Sequence, residues 1–468
     1  MNNSQTITTR QLHLAIWRWH FLAGLYVVPF LIMLALTGML MMYSEPFDEW
    51  RLRDRSIVEP AGTSFSAAEQ LAVVQSTYAH HQADTYRPPI APNRASEFVL
   101  SSIHAPMADG HGEHTLLTVY VNPYTNTITG ESNPEATLYA LGNEIHGTLL
   151  IGQTGDWMIE IAAGLAVLLV LSGFYLWWPR SGKTWRQMLV PSFGNGLGRR
   201  SLWRSLHGSI GLWSAAVLML FLVTGLSWTS VWGGWAQGFS YIPPEEFSGP
   251  VSHANHASLN TGSLNEVPWV LEKTPLPLSS MQEGSAEDLP DLDWIVAYAR
   301  TNGFDNFRVH IPTSTEAVWT IARSTLAKDD NNPFVDRMIH LDRYNGKVVQ
   351  EIRYFDYPAM GKFMAAGVPL HQGDVTVVNL IFNTIFCLAI ILLCVAGVIM
   401  WWQRRPGMSS RLAPPPMPSN RRVWYFITIA VLIVAVLVPL SLLFIVLVIV
   451  CEWLVAMLQR RVRREASE

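Results

Sequence analysis

The chain has 468 residues, of which 50% are hydrophobic and only 15% are charged, and its mean hydropathy is positive. This apolar excess is larger than that of an ordinary soluble domain, so the composition predicts a membrane protein. The net charge of -4 carries little weight, because the basic residues are clustered locally and the acidic residues lie elsewhere.

Four segments are apolar enough to cross a bilayer. A crossing helix needs about 20 apolar residues, since one charge at its centre costs roughly 2.5 to 3.5 kcal/mol. In chain order, the segments that meet this condition are 21–43, 157–178, 210–232 and 375–402. Glu160, in the first turn of the second segment, is their one charged residue, and we expect it to cap the positive end of that helix rather than to carry protons.

The apolar C-terminal segment 423–458 is too long for a single crossing. As one helix it would extend about 54 Å, against a bilayer core of about 30 Å. Pro439 divides it, so a hairpin of two helices and a single bent helix are both compatible with the sequence.

Clusters of lysine and arginine indicate the orientation. They lie in 180–204, in 404–422 and in the C-terminal stretch QRRVRRE, which the positive-inside rule assigns to the cytoplasm. The N-terminus, with Arg10 and Arg18, then also lies in the cytoplasm, and two long polar stretches lie in the periplasm of a bacterial inner membrane. A cytoplasmic C-terminus needs an even number of crossings, which favours the hairpin.

These features divide the chain into ten parts. In chain order they are a cytoplasmic N-terminus with helix 1 (1–43), a first periplasmic α+β domain (44–145), a periplasmic roof segment with helix 2 (146–178), a basic cytoplasmic loop (179–204), helix 3 (205–232), a second periplasmic α+β domain (233–370), helix 4 (371–403), a cytoplasmic linker (404–422), the C-terminal hairpin (423–458) and a cytoplasmic tail (459–468).

The sequence repeats itself. WRWHFLAGLYVVPFLIMLALTG (17–38) returns as WRSLHGSIGLWSAAVLMLFLVTG (203–225), and SGFYLWWPR (172–180) returns as AGVIMWWQR (396–404). The outer stretches share a hairpin pattern, VYVNPYTNTITGE (119–131) and IHLDRYNGKVVQE (339–351). We therefore predict a multi-pass α-helical membrane protein with two periplasmic α+β domains, formed by a parallel duplication of helix, outer domain and helix, plus the C-terminal hairpin.

The repeat turns single histidines into pairs. His20 and His207 begin their helices at the cytoplasmic side, whereas His146 and His371 stand at the periplasmic entrances of theirs. A pseudo-twofold axis between the halves could direct each pair inward, as an iron with two axial ligands requires. A single histidine at such a position is more often an interfacial residue than a ligand, but four histidines in two matched pairs favour two haem groups. These would be b-type haems, because the sequence has no CxxCH motif for covalent haem.

Cations near the paired histidines are candidates for the haem propionates. Arg18 and Arg204 lie close in sequence to His20 and His207, and Lys362 lies on the periplasmic side. The sequence does not decide among them.

The motifs IHGTLLIG, SGFYLWWPR and LWRSLHGSIGLW, together with the paired outer domains, resemble the PepSY-associated transmembrane family up to about residue 405. This family includes iron-regulated inner-membrane proteins that act as ferric-siderophore reductases. The resemblance implies PepSY-like outer domains and a di-haem b reductase with His20, His207, His146 and His371 as ligands. The electron donor would be a cytoplasmic reductase or a membrane quinol, and the product would be Fe(II) from a periplasmic ferric siderophore.

Two other functions fit the same sequence. One is a quinol-linked b-type cytochrome that passes electrons to another periplasmic acceptor. The other is a haem-free, membrane-anchored PepSY module that binds or inhibits a partner. In every version the partner includes the lipid bilayer, and no nucleic acid is expected.

Several other histidines are expected to be ordinary surface residues. His104, His111 and His114 lie in a glycine-containing loop that we interpret as solvated rather than metal-binding, and His253 and His256 are interpreted in the same way. The stretch SFGNGLGRR (192–200) lacks the preceding strand of a dinucleotide-binding motif and is interpreted as a flexible basic loop.

Overall fold

A computed structural model describes residues 2–102, 116–179, 184–192, 198–242, 249–262, 264–280, 289–405, 414–415, 423, 429, 432–434 and 436–465. The chain forms two compact units. The helical unit comprises Met1–Met39, Glu144–Ala236 and Phe382–Glu468, and the sheet unit comprises Leu40–Asn143 and Gln237–Ile381.

Among the described residues four helices are long and apolar enough to cross a membrane, which confirms the four predicted spans. They are α1 (Asn2–Met42, with its candidate span at Arg10–Met42), α5 (Gln153–Trp177), α7 (Arg199–Leu226) and α11 (Val377–Arg404). The third span was predicted to reach residue 232, but α7 ends at Leu226. Beyond it the chain turns, because Asp156 and Glu160 of α5 accept hydrogen bonds from the backbone N–H groups of residues 230–232.

The loop between α5 and α7 contains the short helix α6 (Trp185–Leu189). Its last carbonyl groups are held by side chains of the flanking helices: Met188 O accepts from Trp177 Nε1 at 3.2 Å and from Ser209 Oγ at 2.8 Å, and Leu189 O accepts from Trp213 Nε1 at 2.9 Å. These bonds satisfy carbonyls that the helix itself leaves unpaired. Residues 193–197 of the predicted flexible loop lie outside the described residues.

The described part of the C-terminal segment has a turn at residues 438–440, which include Pro439, followed by helix α12 (Ser441–Glu465). The start of α12 packs on α5 at Gly164. The Phe444 ring lies 4.8 Å from the ring of Tyr26 in α1. Half of the residues that precede Pro439 in the predicted hairpin lie outside the described residues.

The sheet unit contains an eight-stranded sheet in the order β10-β9-β8-β7-β1-β2-β3-β4. The strands are β1 (His81–Arg87), β2 (Ser96–Ser102), β3 (Leu117–Asn122), β4 (Thr127–Ser132), β7 (Arg308–His310), β8 (Trp319–Arg323), β9 (Arg337–Leu341) and β10 (Val348–Arg353). Both predicted hairpins, β3–β4 and β9–β10, are present. A separate two-stranded sheet pairs β5 (Val251–Asn255) with β6 (Pro275–Pro277).

The two outer stretches, expected as separate domains, share this one sheet. Each contributes an antiparallel meander, and the meanders join where β1 pairs with β7, with Thr85 opposite His310 and Tyr86 opposite Val309. A single sheet gives both central strands a neighbour on each side, which removes two exposed strand edges.

One face of the sheet carries the apolar core. Phe98, Val309 and Ile339 point into it and are covered by α3 (Ala67–Thr77) and α9 (Leu292–Thr301). Both helices begin with the caps that their sequences provide: Ser66 and Glu69 form a capping box on α3, and the Asp291 side chain accepts from Trp294 N on α9.

The remaining helices connect the sheet to the membrane segments. They are α2 (Ser44–Ser56), α4 (Leu138–Thr148), α8 (Trp232–Gly238) and α10 (Ala359–Gln372). The segments 136–150 and 359–372, which precede the second and fourth spans in the chain, are thus helical for most of their length.

Candidate functional site

His20 of α1 and His207 of α7 face each other in the helical unit. Their ring centroids are 6.4 Å apart and their ring planes are inclined at 85°. Both side chains are half-buried. We call this arrangement the paired-histidine site, and it brings together two histidines that the sequence repeat predicted to be ligands.

The Nδ1 atoms of both rings are hydrogen-bonded to protein. His20 Nδ1 lies 2.8 Å from Ser172 Oγ, and His207 Nδ1 lies 2.9 Å from the carbonyl oxygen of Leu393. A carbonyl can only accept, so His207 carries its proton on Nδ1. Within the described part of the chain neither Nε2 atom makes a hydrogen bond, and the tautomer of His207 therefore presents Nε2 as a metal ligand.

A glycine lies beside each of these rings. A Cβ atom on Gly173 would come within 3.3 Å of His20 Cε1, and one on Gly397 would come within 3.4 Å of His207 Cε1. Gly173 and Gly397 occupy matching positions in SGFYLWW and AGVIMWW. The sequence reasoning aligned these motifs but missed the role of their glycines, which is to let α5 and α11 approach the histidines closely.

His146 lies near the end of α4, within the helical unit. Its Nδ1 atom is 2.9 Å from Thr37 Oγ1, and the Thr37 hydroxyl lies 2.9 Å from Met33 O, to which it donates. Because that hydroxyl proton is engaged, Thr37 accepts from His146, whose proton is then on Nδ1. His146 is therefore the same tautomer as His207, but its Nδ1–H donates to a threonine hydroxyl instead of a backbone carbonyl.

His371 lies at the end of α10 and belongs to the sheet unit. The helix ends at Gly373, whose φ of 84° is in the left-handed region that favours glycine. The structure places His146 and His371 in different units, so their pairing stays a prediction.

A polar cluster that the sequence reasoning missed follows His371. Gln372 Nε2 donates to Tyr139 Oη at 3.4 Å, Lys328 Nζ lies 3.8 Å from Asp374 Oδ1, and the Lys328 ammonium lies 5.0 Å from the centre of the Tyr139 ring. Burial raises the pKa of Tyr139 to about 12 and also raises the pKa of Asp374. Lys328 is thus a cation close in space to Asp374, which follows His371 in the chain, although Lys328 lies far from both residues in sequence.

The predicted propionate cations are differently placed. Arg18 donates through Nη1 to the carbonyl oxygen of Pro415, and the Arg204 side chain is exposed on α7. Lys362 lies in the first turns of α10. The guanidinium of Arg404, which sequence reasoning did not single out, packs over the rings of Trp17 and Phe21, beside His20.

Glu160 does not cap its own helix. Its Oε2 atom accepts from the backbone N–H groups of Val231 and Trp232, both at 3.2 Å, and so binds the start of α8. The expectation was wrong because Glu160 lies too far along α5 to reach the first amide groups of that helix. A cap formed between helices leaves no signal in the spacing of one segment.

His256 is not a surface residue, which corrects the sequence interpretation. Its side chain is fully buried, with Nδ1 2.7 Å from Thr274 O and Nε2 3.0 Å from His340 Nε2. His253 is exposed as expected. Among the described residues no group of three or more His, Cys, Asp or Glu side chains could hold a metal ion, and the loop with His104, His111 and His114 lies outside them.

The described residues define a membrane protein with four helices apolar enough to span a bilayer, a sheet-containing unit, and two facing histidines, His20 and His207, on two of those helices. A profile of the PepSY-associated TM region matches residues 17–404. The chain belongs to this family, as its motifs predicted. A search of curated proteins finds no match.

Proposed function

We propose that the protein is a di-haem b oxidoreductase of the bacterial inner membrane that reduces a ferric siderophore in the periplasm and releases Fe(II). The paired-histidine site is the observation that carries the proposal. Two imidazoles from different helices face each other there, and both have Nδ1 engaged by protein.

The spacing of the two rings would allow both imidazoles to hold one metal ion. Metal–imidazole bonds are about 2 Å long, so two imidazoles that held one ion between them would have ring centres about 6 Å apart. The ring centroids of His20 and His207 are 6.4 Å apart. Perpendicular rings are compatible with this arrangement, because each ring can rotate about its bond to the metal.

The donor set also fits haem better than a bare metal ion. No described carboxylate or cysteine completes a site of three or more ligands. Two neutral imidazoles in an apolar helix bundle would suit a b-type haem, which His20 and His207 would hold. Gly173 and Gly397 keep bulk away from the two histidines.

The chain's own residues would have distinct tasks. His20 and His207 would hold one haem iron, and His146 with His371 would hold the second. Arg18, Arg204 and Arg404 are the candidate cations for propionate groups at the first site. Bound haem would supply one-electron transfer, and the apolar helices would keep water from it.

The chemistry of the substrate is consistent with such a carrier. Fe(III) held by the hard oxygen donors of a siderophore becomes the softer Fe(II) on gaining one electron, and its chelate weakens. The electron would come from a membrane quinol or a cytoplasmic reductase. The support for this substrate class is the sequence resemblance. The family match by itself defines only a membrane protein of this type.

The test is a reduced-minus-oxidised absorption spectrum of the detergent-purified protein, with haem quantified as the pyridine haemochrome. Dithionite-reduced protein is then mixed with a ferric siderophore and an Fe(II) trap. We expect a low-spin b-type spectrum, about two haems per chain, and loss of the reduced signal as trapped Fe(II) forms. As a control, His253→Ala removes an exposed histidine and should change neither haem content nor Fe(II) yield.

Other outcomes would favour the rival functions. Intact haem that reduces no ferric chelate would favour a quinol-linked cytochrome with another acceptor. Protein without haem after expression in haem-replete cells would overturn the proposal and favour the membrane-anchored binding module.

A further inference from the structure

The two histidines of the paired-histidine site have unequal hydrogen-bond acceptors. His20 Nδ1 meets the side-chain hydroxyl of Ser172, whereas His207 Nδ1 meets the backbone carbonyl of Leu393 directly. The difference arises at matching positions of the repeat, because SGFYLWW begins with Ser172 and AGVIMWW begins with Ala396.

In the first half, Ser172 stands between the imidazole and the backbone of α5. Its hydroxyl donates to Leu168 O at 2.6 Å and lies 3.3 Å from Leu169 O. With its proton engaged there, Ser172 Oγ accepts from His20 Nδ1–H. A hydroxyl bonded back to the preceding turn is a common arrangement for serine within a helix.

In the second half, Ala396 has no hydroxyl and its side chain is fully buried. The carbonyl of Leu393, which occupies the position of Leu169 in the repeat, is therefore reached by His207 itself, at 2.9 Å. The second half thus shows what the first half would look like without the serine.

We infer that Ser172 is a positioning residue that gives His20 a weaker hydrogen-bond acceptor than His207 has, and so raises the reduction potential of a haem held between them. The inference rests on the proposed function, because it concerns that haem. An amide carbonyl is a stronger acceptor than an aliphatic hydroxyl oxygen. A stronger acceptor on Nδ1–H makes the ring a more basic ligand, and a more basic ligand favours Fe(III) over Fe(II).

Two reciprocal substitutions test this. In Ser172→Ala, His20 can donate to the Leu169 carbonyl as His207 does to Leu393, and the midpoint potential of this haem should fall. In Ala396→Ser, a hydroxyl is inserted between His207 and its carbonyl, and the potential should rise. The double variant exchanges the two environments and should return close to the wild-type potential.

The measurement is a spectroelectrochemical redox titration of each detergent-purified full-length variant, alongside its haem content. Ser209→Ala is the matched control, since this buried serine donates to Met188 O at 2.8 Å rather than contacting a histidine, and its titration should match the wild type. If Ser172→Ala fails to retain haem, a positive shift in Ala396→Ser alone still supports the inference.

Unchanged potentials in both variants with haem intact, or shifts of the same sign, would overturn the inference and leave the proposed function standing. Loss of haem from both variants would overturn it as well, because the two positions would then be needed for binding rather than for tuning. Wild-type protein that never contains haem is a different result, since it removes the proposed function itself.

Discussion

Three histidines of the sheet unit lie in a buried polar layer beside a charge network. Arg308 Nη1 lies 2.9 Å from Glu266 Oε1, and Arg308 Nη2 lies 2.8 Å from Asp329 Oδ1. His310 Nδ1 is 3.1 Å from Thr85 Oγ1. The other two histidines are His340, on β9, and His256, in the short 3-10 helix His256–Leu259, and their Nε2 atoms are 3.0 Å apart. The carboxylates are already paired with arginine, so a protonated imidazole has no counter-charge of its own.

The imidazoles are therefore neutral at physiological pH. Burial lowers the pKa of His256 to about 4, partly opposed by its bond to the Thr274 carbonyl. Burial and the positive charge of Arg308 lower the pKa of His310 to about 3, and burial together with His256 lowers that of His340. Their tautomers follow from the acceptors: His256 donates from Nδ1 to Thr274 O and accepts on Nε2 from His340.

We predict that the sheet unit loses stability as the pH falls below about 6.5, the ordinary histidine pKa. Between pH 6.5 and about 4 the unfolded chain binds protons that the folded chain does not, so acid favours unfolding, by up to about 1.4 kcal/mol per pH unit for each histidine. Urea midpoints followed by tryptophan fluorescence at pH 7.5 and pH 5 should therefore differ clearly.

The matched comparison is His256→Gln, which keeps hydrogen-bonding atoms but cannot titrate. Its midpoint should be less sensitive to pH than that of the wild type, even though the substitution lowers stability at pH 7.5. His253→Gln, at an exposed position, should leave the pH dependence unchanged. Equal pH dependence in His256→Gln and wild type would show that this histidine is not responsible.

At this scale the sequence indicated the haem-ligand candidates but not their supports. His20 and His207 stand out because the repeat marks them twice. Ser172 does not stand out, since it contacts His20 across more than a hundred intervening residues and serine is common in such helices. Thr37 recurs in the repeat as Thr224, but no local pattern assigns it to His146, which also lies more than a hundred residues away. The interpretation of His256 was wrong because this residue is buried against His340, which is distant in sequence, and no local pattern predicts that contact.

Among the elements, the C-terminal helix α12 packs closely on α5 at Gly164. A Cβ atom on Gly164 would lie 2.0 Å from Ser441 Oγ and 2.7 Å from Val438 Cγ1. The position that matches Gly164 in α11 is Leu388, whose side chain is 54% exposed. The equivalent face of α11 thus lacks the glycine that allows this packing.

Gly164→Ala should therefore displace α12 from α5. Overpacking of a close contact typically costs about 1–3 kcal/mol. Here the nearest atom to the added Cβ belongs to the short side chain of Ser441. We expect faster release of the C-terminal segment by limited proteolysis in detergent, with the rest of the chain intact. Mass spectrometry of the fragments gives the cleavage site.

Gly238→Ala serves as the control, because a Cβ atom there would meet nothing within 4 Å. If Gly164→Ala is cleaved no faster than Gly238→Ala, the close approach does not hold the C-terminal helix. A double variant, Gly164→Ala with Ser441→Gly, should regain part of the protection, because it removes the nearest clashing atom.

Apolar length predicted the four spans well, because an uninterrupted apolar run is a property of one segment. The predicted end of the third span was wrong by several residues. Asp156 and Glu160, on another helix, accept hydrogen bonds from the backbone N–H groups that a continuing helix would have used. Hairpins β3–β4 and β9–β10 were predictable for the same local reason. The β1–β7 pair, which unites the two outer stretches in one sheet, joins residues about 225 positions apart and has no local signal.

At the scale of the whole molecule, each unit is built from both halves of the sequence. In the sheet unit, β1 of the first half pairs with β7 of the second. In the helical unit, α1 of the first half and α7 of the second supply His20 and His207. Neither half alone therefore contains a complete paired-histidine site.

This arrangement makes a prediction about haem content. If His20 and His207 ligate one iron, His20→Ala and His207→Ala should each deplete the same haem, and the double variant should lose no more haem than either single variant. His146→Ala should deplete the other haem and leave the first. The measurement is pyridine-haemochrome quantification with low-temperature spectra that resolve the two haems.

Non-additivity is the decisive feature, because two ligands of one ion fail together whereas ligands of separate ions fail independently. A double variant that loses twice the haem of each single variant would place His20 and His207 on different irons. Depletion of the same haem by His20→Ala and His146→Ala would pair histidines within the first half of the chain instead. The 6.4 Å separation of the His20 and His207 rings favours a single iron shared between the halves.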